Sequence, residues 1–509
     1  MSNSSKLLRS LTKSEQSPVE ANVIGEIPKW LNGTLFRNGP GRFKYGDKTY
    51  EHLFDGHSCI HKFQIKNGKV FYSNKFLETH SYKKTLKESR LYSVFGTIDV
   101  CSNLYERMKL VFQWPETLDN ANINLVPYGN DRLFALTETN TMYEIDPSNL
   151  CIINRIQIDK YLQQATTTFA HPHILEDGSW ITMGMNFKNF PPHYELIEYK
   201  KVDDIKVICE NAEIIARVPS SHYFGLSYFH SFGLTKNYIV FLEQSIKFDV
   251  KNLLTGIFTN KAFSNAFCML DNFPTRIHVI NRNNGQIIQK KFTSEPLVVF
   301  HHINTYEVYD LQNNLCEIIT DVCAYDPKFF DIKNFTYENM YTESLLGTSA
   351  IRSTARRITI PMKNEDYEIY CEAKELNPNV VFELPVINYS RFNGKNYQFM
   401  YAANYFTLPF SIVKMNMQNP SEVLEKKYES ENGKYLPSEP IFVESPSPKS
   451  EDDGILLVMV LSDKKDYLSI LDAKNLKEIA KAEIPEDVKG AFTFHGFFAQ
   501  SDKFKKLNQ

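Results

Sequence analysis

The sequence lacks the features that mark several large classes of protein. Lysine plus arginine number 57 against 60 for aspartate plus glutamate, which gives a net charge of −3. This balance leaves no excess of positive charge for phosphate contacts, so we expect no nucleic-acid partner. The eight cysteines form no C-x-x-C pair. In a chain of this length we expect them to be reduced thiols of a cytoplasmic protein.

Secretory and membrane-spanning segments are also missing. The first 20 residues are polar and charged, and they lack the apolar stretch of about 7–15 residues that a secretory signal needs. No apolar run approaches the roughly 20 residues that cross a bilayer. We therefore expect any membrane contact to be peripheral.

Aromatic residues and short alternating segments are abundant. The chain has 37 phenylalanines and 28 tyrosines, enough for a large core and for an aromatic-lined cavity. In at least five places, apolar and polar residues alternate on both sides of a tight polar turn, which is the pattern of a β-hairpin. These segments are residues 61–76, 142–158, 277–292, 412–428 and 468–484.

Hairpins spread over the whole chain, without helical segments between them, predict an all-β fold. A β-propeller fits best, because residues far apart in sequence can converge on its axis. The hairpin periodicity by itself does not distinguish a propeller from unrelated sheets in two or three domains. We expect one domain over residues 21–500, polar tails at 1–20 and 501–509, and a cap built from insertions at about 84–120, 246–275 and 326–375.

Four histidine motifs are the strongest candidates for a functional site. They are FAHPHILEDG, YFHSFGLT, VFHHINTYE and TFHGFF, and they lie far apart in the chain. None has the short ligand spacing of a local metal motif, so a shared site would have to be assembled by the tertiary fold. From these residues alone, a hydrogen-bonded core histidine is the more common outcome, and a metal site is one hypothesis.

Together with other motifs, these segments resemble the carotenoid cleavage oxygenase family. The further motifs are RNGPGRFKYGDKTYEHLFDGHSCIHKF, LTETN, FELPVINY and LPSEPIFV, and all occur in the family's order over about residues 24–498. The resemblance is closest to the animal branch, which contains the β-carotene oxygenases, the insect carotenoid isomerooxygenase and the retinoid isomerase of the eye. It implies a seven-bladed β-propeller with a helical and loop cap over the iron-containing face, and one Fe(II) per chain.

The resemblance also implies roles for individual residues. The iron ligands would be His171, His230, His301 and His495. Three glutamates would orient ligand histidines through hydrogen bonds, namely Glu138, Glu383 and Glu439. Such outer partners fix the tautomer and the ring orientation of a ligating imidazole. His173 and His302 would then be structural neighbours.

Residues 95–112 and 253–270 match in position the segments by which animal members of the family contact membranes. The first segment departs from its relatives, because Ile98-Asp99-Val100-Cys101 stands where they usually have Pro-Asp-Pro-Cys. The alternative is that both segments are cap residues packed inward. We expect a cytoplasmic location with peripheral contact on intracellular membranes.

The activity implied by the resemblance is oxidative cleavage of a carotenoid double bond with O₂. The expected bond is the central 15,15′ bond of β-carotene-like substrates, with retinal as product and isomerisation of one product as a further step. One alternative is a retinoid isomerase that acts on retinyl esters at the same iron. Another is a carotenoid-binding protein without catalytic activity.

Overall fold

β-Sheets are the main regular structure of the chain, and almost all of the described strand pairs are antiparallel. The computed structural model describes residues 7–92, 95–98, 103–112, 118–129, 131–162, 167–187, 189–202, 207–222, 225–337, 351–429, 434–501 and 504. Within these residues, seven sheets of four to six strands form the blades of a β-propeller. The all-β propeller predicted from the sequence is confirmed.

Blade 1 brings the two ends of the chain together. Its strands are Val19–Glu20, Gly33–Arg42, His57–Lys66, Lys69–Phe76 and the C-terminal His495–Gln500. The C-terminal strand pairs with Gly33–Arg42, so that His495 lies opposite Asn38. The N-terminal strand Asn22–Gly25 pairs with Glu478–Glu483 of blade 7. This exchange of strands closes the ring.

The other blades follow in chain order. Blade 2 contains Asn124–Tyr128, Arg132–Leu136, Thr141–Ile145 and Ile152–Gln157. Blade 3 contains Thr167–Thr168, His173–Ile174, Trp180–Asn186, His193–Tyr199 and Ala212–Pro219. Blade 4 contains Gly233–Leu234, Tyr238–Glu243, Thr275–Asn281, Lys291–Ser294 and Glu368–Tyr370.

The second half of the ring is built in the same way. Blade 5 contains Val298–Tyr309, Leu315–Tyr325, Ser353–Pro361 and Ala373–Glu375. Blade 6 contains Glu383–Val386, Phe399–Asn404, Ser411–Asn416 and Val423–Lys427. Blade 7 contains Asn22–Gly25, Tyr435–Pro437, Ile441–Glu444, Gly454–Ser462, Tyr467–Asp472 and Glu478–Glu483.

Outside the blades are a few short elements. Among the described residues, the α-helices are His80–Glu88, Leu104–Phe112, Val250–Thr259 and Tyr389–Phe392. The described 3₁₀ turns are Leu53–Asp55, Ile158–Lys160, Ile208–Asn211, Phe263–Ala266 and Ile332–Asn334. A small sheet contains Gly225–Ser227, Ile246–Asp249 and Phe267–Met269, and a ribbon pairs Lys44–Tyr45 with Lys48–Thr49.

All five predicted hairpins agree with observed strand pairs. At the first of them, Asn67 and Gly68 both have positive φ, 52° and 76°, as a two-residue hairpin turn requires. In the hairpin at 277–292, Ile280 bridges to Ile287 and the N–H of Asn281 donates to the Gln286 carbonyl at 2.8 Å, so the chain turns between these residues.

The expected cap insertions differ in their content. Helices Leu104–Phe112 and Val250–Thr259 lie in the first two insertions and contact each other. Of the third expected insertion, 326–375, the residues from Ser353 onward contribute strands to blades 4 and 5. Burial explains this, since Ile358 and Ile360 point into the core while Thr359 between them is partly exposed, with the period of two of a strand.

Residues 7–20, expected as part of a polar tail, lie against the propeller. Leu8 and Leu11 are buried, and the Arg9 guanidinium pairs with the buried Asp466 carboxylate at 2.6 Å. No helix among the described residues is long and apolar enough to cross a membrane. The seven described cysteines are free thiols, and Cys101 lies outside the described residues.

Candidate metal centre

Four histidines from four blades converge on one point. His495 begins the C-terminal strand of blade 1, and His171 precedes the strand His173–Ile174 of blade 3. His230 comes just before Gly233–Leu234 of blade 4, and His301 lies within Val298–Tyr309 of blade 5. One ring nitrogen from each histidine lies within 4.8 Å of the others. The fold therefore assembles a four-imidazole cluster that no local spacing could have encoded.

Three of these imidazoles are held by the predicted glutamates. The distance from His230 Nδ1 to Glu138 Oε1 is 2.5 Å, and that from His301 Nδ1 to Glu383 Oε2 is 2.6 Å. His495 Nδ1 lies 2.8 Å from Glu439 Oε1. A carboxylate can only accept, so each Nδ1 carries the proton and each Nε2 keeps its lone pair for the centre of the cluster.

His171 completes the cluster without such a glutamate among the described residues. Its Nε2 is buried and has no hydrogen-bond partner. Between His301 and His495, the two Nε2 atoms lie 3.4 Å apart. A buried lone pair without a donor is costly, and a metal ion would satisfy it. The donor set fits an imidazole-bound transition metal.

Burial favours the neutral form of two of these imidazoles. It lowers the pKa of His171 well below the ordinary value, and the three neighbouring imidazoles lower it further. Burial also lowers the pKa of His495 to about 4, although the Glu439 carboxylate opposes that shift. Neutral imidazole is the form that binds a metal, so these two ligands are ready near neutral pH without losing protons.

Each glutamate is itself held by a further group. Tyr228 donates its hydroxyl to Glu138 Oε2 at 2.9 Å. Glu383 Oε2 accepts the backbone N–H of Leu384 at 2.8 Å, and Leu384 has a φ of 57°. The group that holds Glu439 is the guanidinium of Arg37. The carboxylates are thus fixed before any metal binds.

Arg37 is fully buried, and its hydrogen bonds fix it in place. Its Nη1 donates to Glu439 Oε2 at 2.7 Å, and its Nη2 donates to the carbonyl of Phe494 at 2.9 Å. Its Nε and Nη2 both donate to Thr493 Oγ1 at 3.2 Å. Burial opposes ionisation of Glu439, but His495 and Arg37 hold its pKa below the ordinary value.

The charges around the cluster match a divalent cation. With the usual charges of these side chains, the three glutamates bring three negative charges and Arg37 brings one positive charge, while imidazole binds a metal in its neutral form. The remainder is two negative charges in a region where unpaired charge is strongly unfavourable. The structure brings together the histidines and glutamates named from the sequence. Arg37 and Tyr228 were not predicted, although each begins one of the motifs, RNGPGR and YFHSFGLT.

The two neighbouring histidines make other contacts. His173 bonds through Nδ1 to the Tyr389 hydroxyl at 2.8 Å and through Nε2 to the Phe232 carbonyl at 2.9 Å. His302 Nδ1 lies 2.8 Å from Ser231 Oγ, and burial lowers the pKa of His302 to about 3. Neither belongs to the cluster.

A cavity of about 240 Å³ opens beside the cluster, and His230, His301 and His495 form part of its wall. Eleven phenylalanines line it: Phe54, Phe95, Phe169, Phe248, Phe263, Phe267, Phe300, Phe335, Phe406, Phe492 and Phe494. Such a wall suits an apolar ligand recognised by shape.

Comparison with known proteins agrees with this geometry. The family model described as "Retinal pigment epithelial membrane protein" matches residues 8–500. The chain is 33% identical to a protein named "Carotenoid-cleaving dioxygenase, mitochondrial" from Homo sapiens, over 96% of this chain and 90% of the relative. It is 32% identical to "Beta,beta-carotene 15,15'-dioxygenase" from Rattus norvegicus, over 98% of this chain and 92% of the relative.

Solved structures share the fold. A mutant of the Synechocystis apocarotenoid oxygenase superposes with a TM-score of 0.78 at 23% identity, covering 97% of this chain and 98% of that one. A cobalt-substituted form of the same oxygenase gives a TM-score of 0.76 with the same coverage. With the family match over nearly the whole length, these findings show that the chain belongs to the retinal pigment epithelial membrane protein family, the carotenoid cleavage oxygenases that its motifs resemble.

Proposed function

We propose that the chain is an Fe(II)-dependent dioxygenase that cleaves the central 15,15′ double bond of a β-carotene-like carotenoid and yields retinal. The observation that carries this proposal is the four-histidine cluster in the wall of a phenylalanine-lined cavity. Such a cluster is typical of the Fe(II) site of carotenoid oxygenases. A relative named for 15,15′ cleavage supports the choice of bond, whereas others are named more generally.

The residues of the chain divide the work. We assign metal binding to His171, His230, His301 and His495, and orientation of three of these ligands to Glu138, Glu383 and Glu439. When bound, Fe(II) would supply open coordination positions for the activation of O₂. The phenylalanine wall excludes water and orients a polyene that offers no ionisable group, so the bond is presented by shape alone.

We also propose peripheral membrane contact through the two cap helices. Apolar side chains are exposed there, namely Leu104, Tyr105, Met108, Leu254 and Phe258. The expected segments are not uniformly exposed, because Phe95 and Phe263 line the cavity instead. The cytoplasmic location expected from the N-terminal sequence stays a prediction, and several relatives carry "mitochondrial" in their names.

The first prediction concerns the metal. The isolated protein should carry about one iron per chain. The cells must be grown with ample iron, because binding affinity alone favours other divalent metals over Fe(II). Alanine at any one of the four cluster histidines should remove most of this iron, as measured by elemental analysis. Alanine at His302, the control, should retain it. Full iron retention by all four cluster variants would refute the assignment.

The second prediction concerns the layer behind the ligands. Glu439→Gln should weaken metal affinity by about 10–100-fold, measured by competition with a chelator, whereas Glu444→Gln on the surface of blade 7 should not. A second variant tests Arg37.

Arg37→Met leaves the Glu439 charge buried and unpaired, which costs about 3–5 kcal/mol of stability. The double variant Arg37→Met/Glu439→Gln removes both buried charges, so it should recover the stability lost in Arg37→Met but not the metal affinity. Wild-type affinity in the double variant would contradict this role.

The third prediction separates the two faces of the cap. Phe258 is 63% exposed, so Phe258→Asp should shift the protein from a membrane pellet to the supernatant without lowering its unfolding temperature. Phe263 packs against Phe248 with ring centroids 5.5 Å apart, so Phe263→Asp should destabilise the fold. An unchanged pellet fraction for Phe258→Asp would count against membrane contact at this helix.

The fourth prediction separates oxygenase from isomerase. Iron-loaded protein given β-carotene in detergent under ¹⁸O₂ should form retinal with label in both product molecules, once exchange with water is suppressed. Under nitrogen the reaction should stop. Mass spectrometry of the products decides the matter. Conversion of retinyl esters to retinol isomers under nitrogen, with no carotenoid cleaved in air, would replace the proposal with the isomerase.

A further inference from the structure

A buried carboxylate in blade 1 holds part of the cap. Asp55 is fully buried at the end of the 3₁₀ turn Leu53–Asp55. Its Oδ1 accepts the backbone N–H of Phe95. Its Oδ2 accepts the N–H of Gly96 at 3.1 Å, the N–H of Thr97 at 2.7 Å and the Thr97 hydroxyl at 2.6 Å. One carboxylate thus binds three successive amides and one hydroxyl, so four hydrogen bonds hold this segment on the turn.

The same turn makes further contacts with the cap. Gly96 lies so close to His52 that a Cβ at residue 96 would be 2.3 Å from the His52 ring. His52 Nε2 lies 2.9 Å from the Ile332 carbonyl, and the N–H of Leu53 donates to the Phe335 carbonyl at 2.8 Å. Residues 52–55 therefore anchor two separate cap segments on blade 1.

These segments carry rings of the cavity wall. Phe54, Phe95 and Phe335 all line the cavity. The ring centroid of Phe95 lies 5.8 Å from that of Phe54 and 5.4 Å from that of Phe267. On the other side, the Phe95 carbonyl accepts the N–H of Ser264 at 2.7 Å. The backbone of Phe95 is thus held by the Asp55 carboxylate on one side and by the Ser264 N–H on the other, while its ring packs among the aromatic rings of the wall.

A polyene repeats the same bond pattern along its length and has no polar group to set its register. Which double bond reaches the four histidines therefore depends on where the aromatic wall stops the chain. A displacement of about 1 Å costs on the order of 100-fold in rate. We propose that Asp55 is a positioning residue that fixes the cleavage site on the polyene by holding Phe95. This inference rests on the proposed function.

The test compares the sites of cleavage rather than the amount of activity. Asp55→Asn keeps the shape of the side chain but turns one acceptor oxygen into a donor that faces N–H groups. It should change the ratio of central to neighbouring cleavage by roughly tenfold, by the same distance argument. Thr97→Val removes one of the four bonds to Asp55, together with the bond that the Thr97 hydroxyl accepts from the Glu51 N–H. It keeps the other three bonds to Asp55 and should change the ratio in the same direction by a smaller factor. Iron content should be unchanged.

A matched control is available in blade 7. Asp466 is also a fully buried carboxylate that accepts two backbone N–H groups, from Ser462 at 2.8 Å and Gly490 at 2.7 Å. It does not line the cavity. Asp466→Asn should lower the unfolding temperature but leave the product ratio as in the wild type.

The product ratio does not depend on how much enzyme is folded, so a merely structural role for Asp55 would leave it unchanged. Hydrogen exchange at residues 95–97 should rise in Asp55→Asn, which verifies that the segment is released. A wild-type ratio in both variants, with faster exchange at 95–97, would overturn the inference alone. Absence of any carotenoid cleavage by the iron-loaded wild type would refute the proposed function and the inference with it.

Discussion

Four imidazole lone pairs aimed at one buried point are unfavourable unless a cation lies between them, and the structure is arranged around this constraint. No single element could supply them, because the ligands come from four blades of the ring. Behind three of them, a glutamate fixes each ring. Each glutamate accepts a hydrogen bond from a different group. These groups are a tyrosine hydroxyl, a backbone amide and the Arg37 guanidinium. Rigid geometry is thus provided before metal binds, which is the general condition for an effective site.

The charge balance gives this arrangement its selectivity for a dication. Four neutral ligands carry no negative charge to compensate a doubly positive ion. The glutamates behind the histidines supply that negative charge. Three carboxylates alone would overcompensate the ion. Arg37 corrects the excess from a position with no exposed surface. Its role is electrostatic as much as geometric, and a neutral residue of the same size could not replace it.

The sequence predicted the repeated elements better than the assembled ones. Alternation and turn chemistry located all five hairpins, because both are local properties. The predicted extent of the third insertion, 326–375, was wrong, because the strand Ser353–Pro361 belongs to blade 5. A long connection precedes this strand, so the sequence did not show that it continues the blade. The four histidines could be grouped only by resemblance. Arg37 and Asp55 both lie in the motif that begins RNGPGR, but their roles could not be predicted, because a buried ion looks in sequence like any surface charge until the fold shows its partners.

His495 is both a member of the metal cluster and the first residue of the strand that closes the propeller. Its place in the ring links closure of the propeller to completion of the histidine cluster during biosynthesis. While the chain emerges from the ribosome, His171, His230 and His301 are made long before the segment that brings the fourth imidazole. The last strand must pair with one of the earliest, a contact between distant parts of the chain that forms late. Iron with its full set of ligands therefore marks a finished molecule, and a chain truncated by some fifteen residues would have neither a closed ring nor a complete cofactor site.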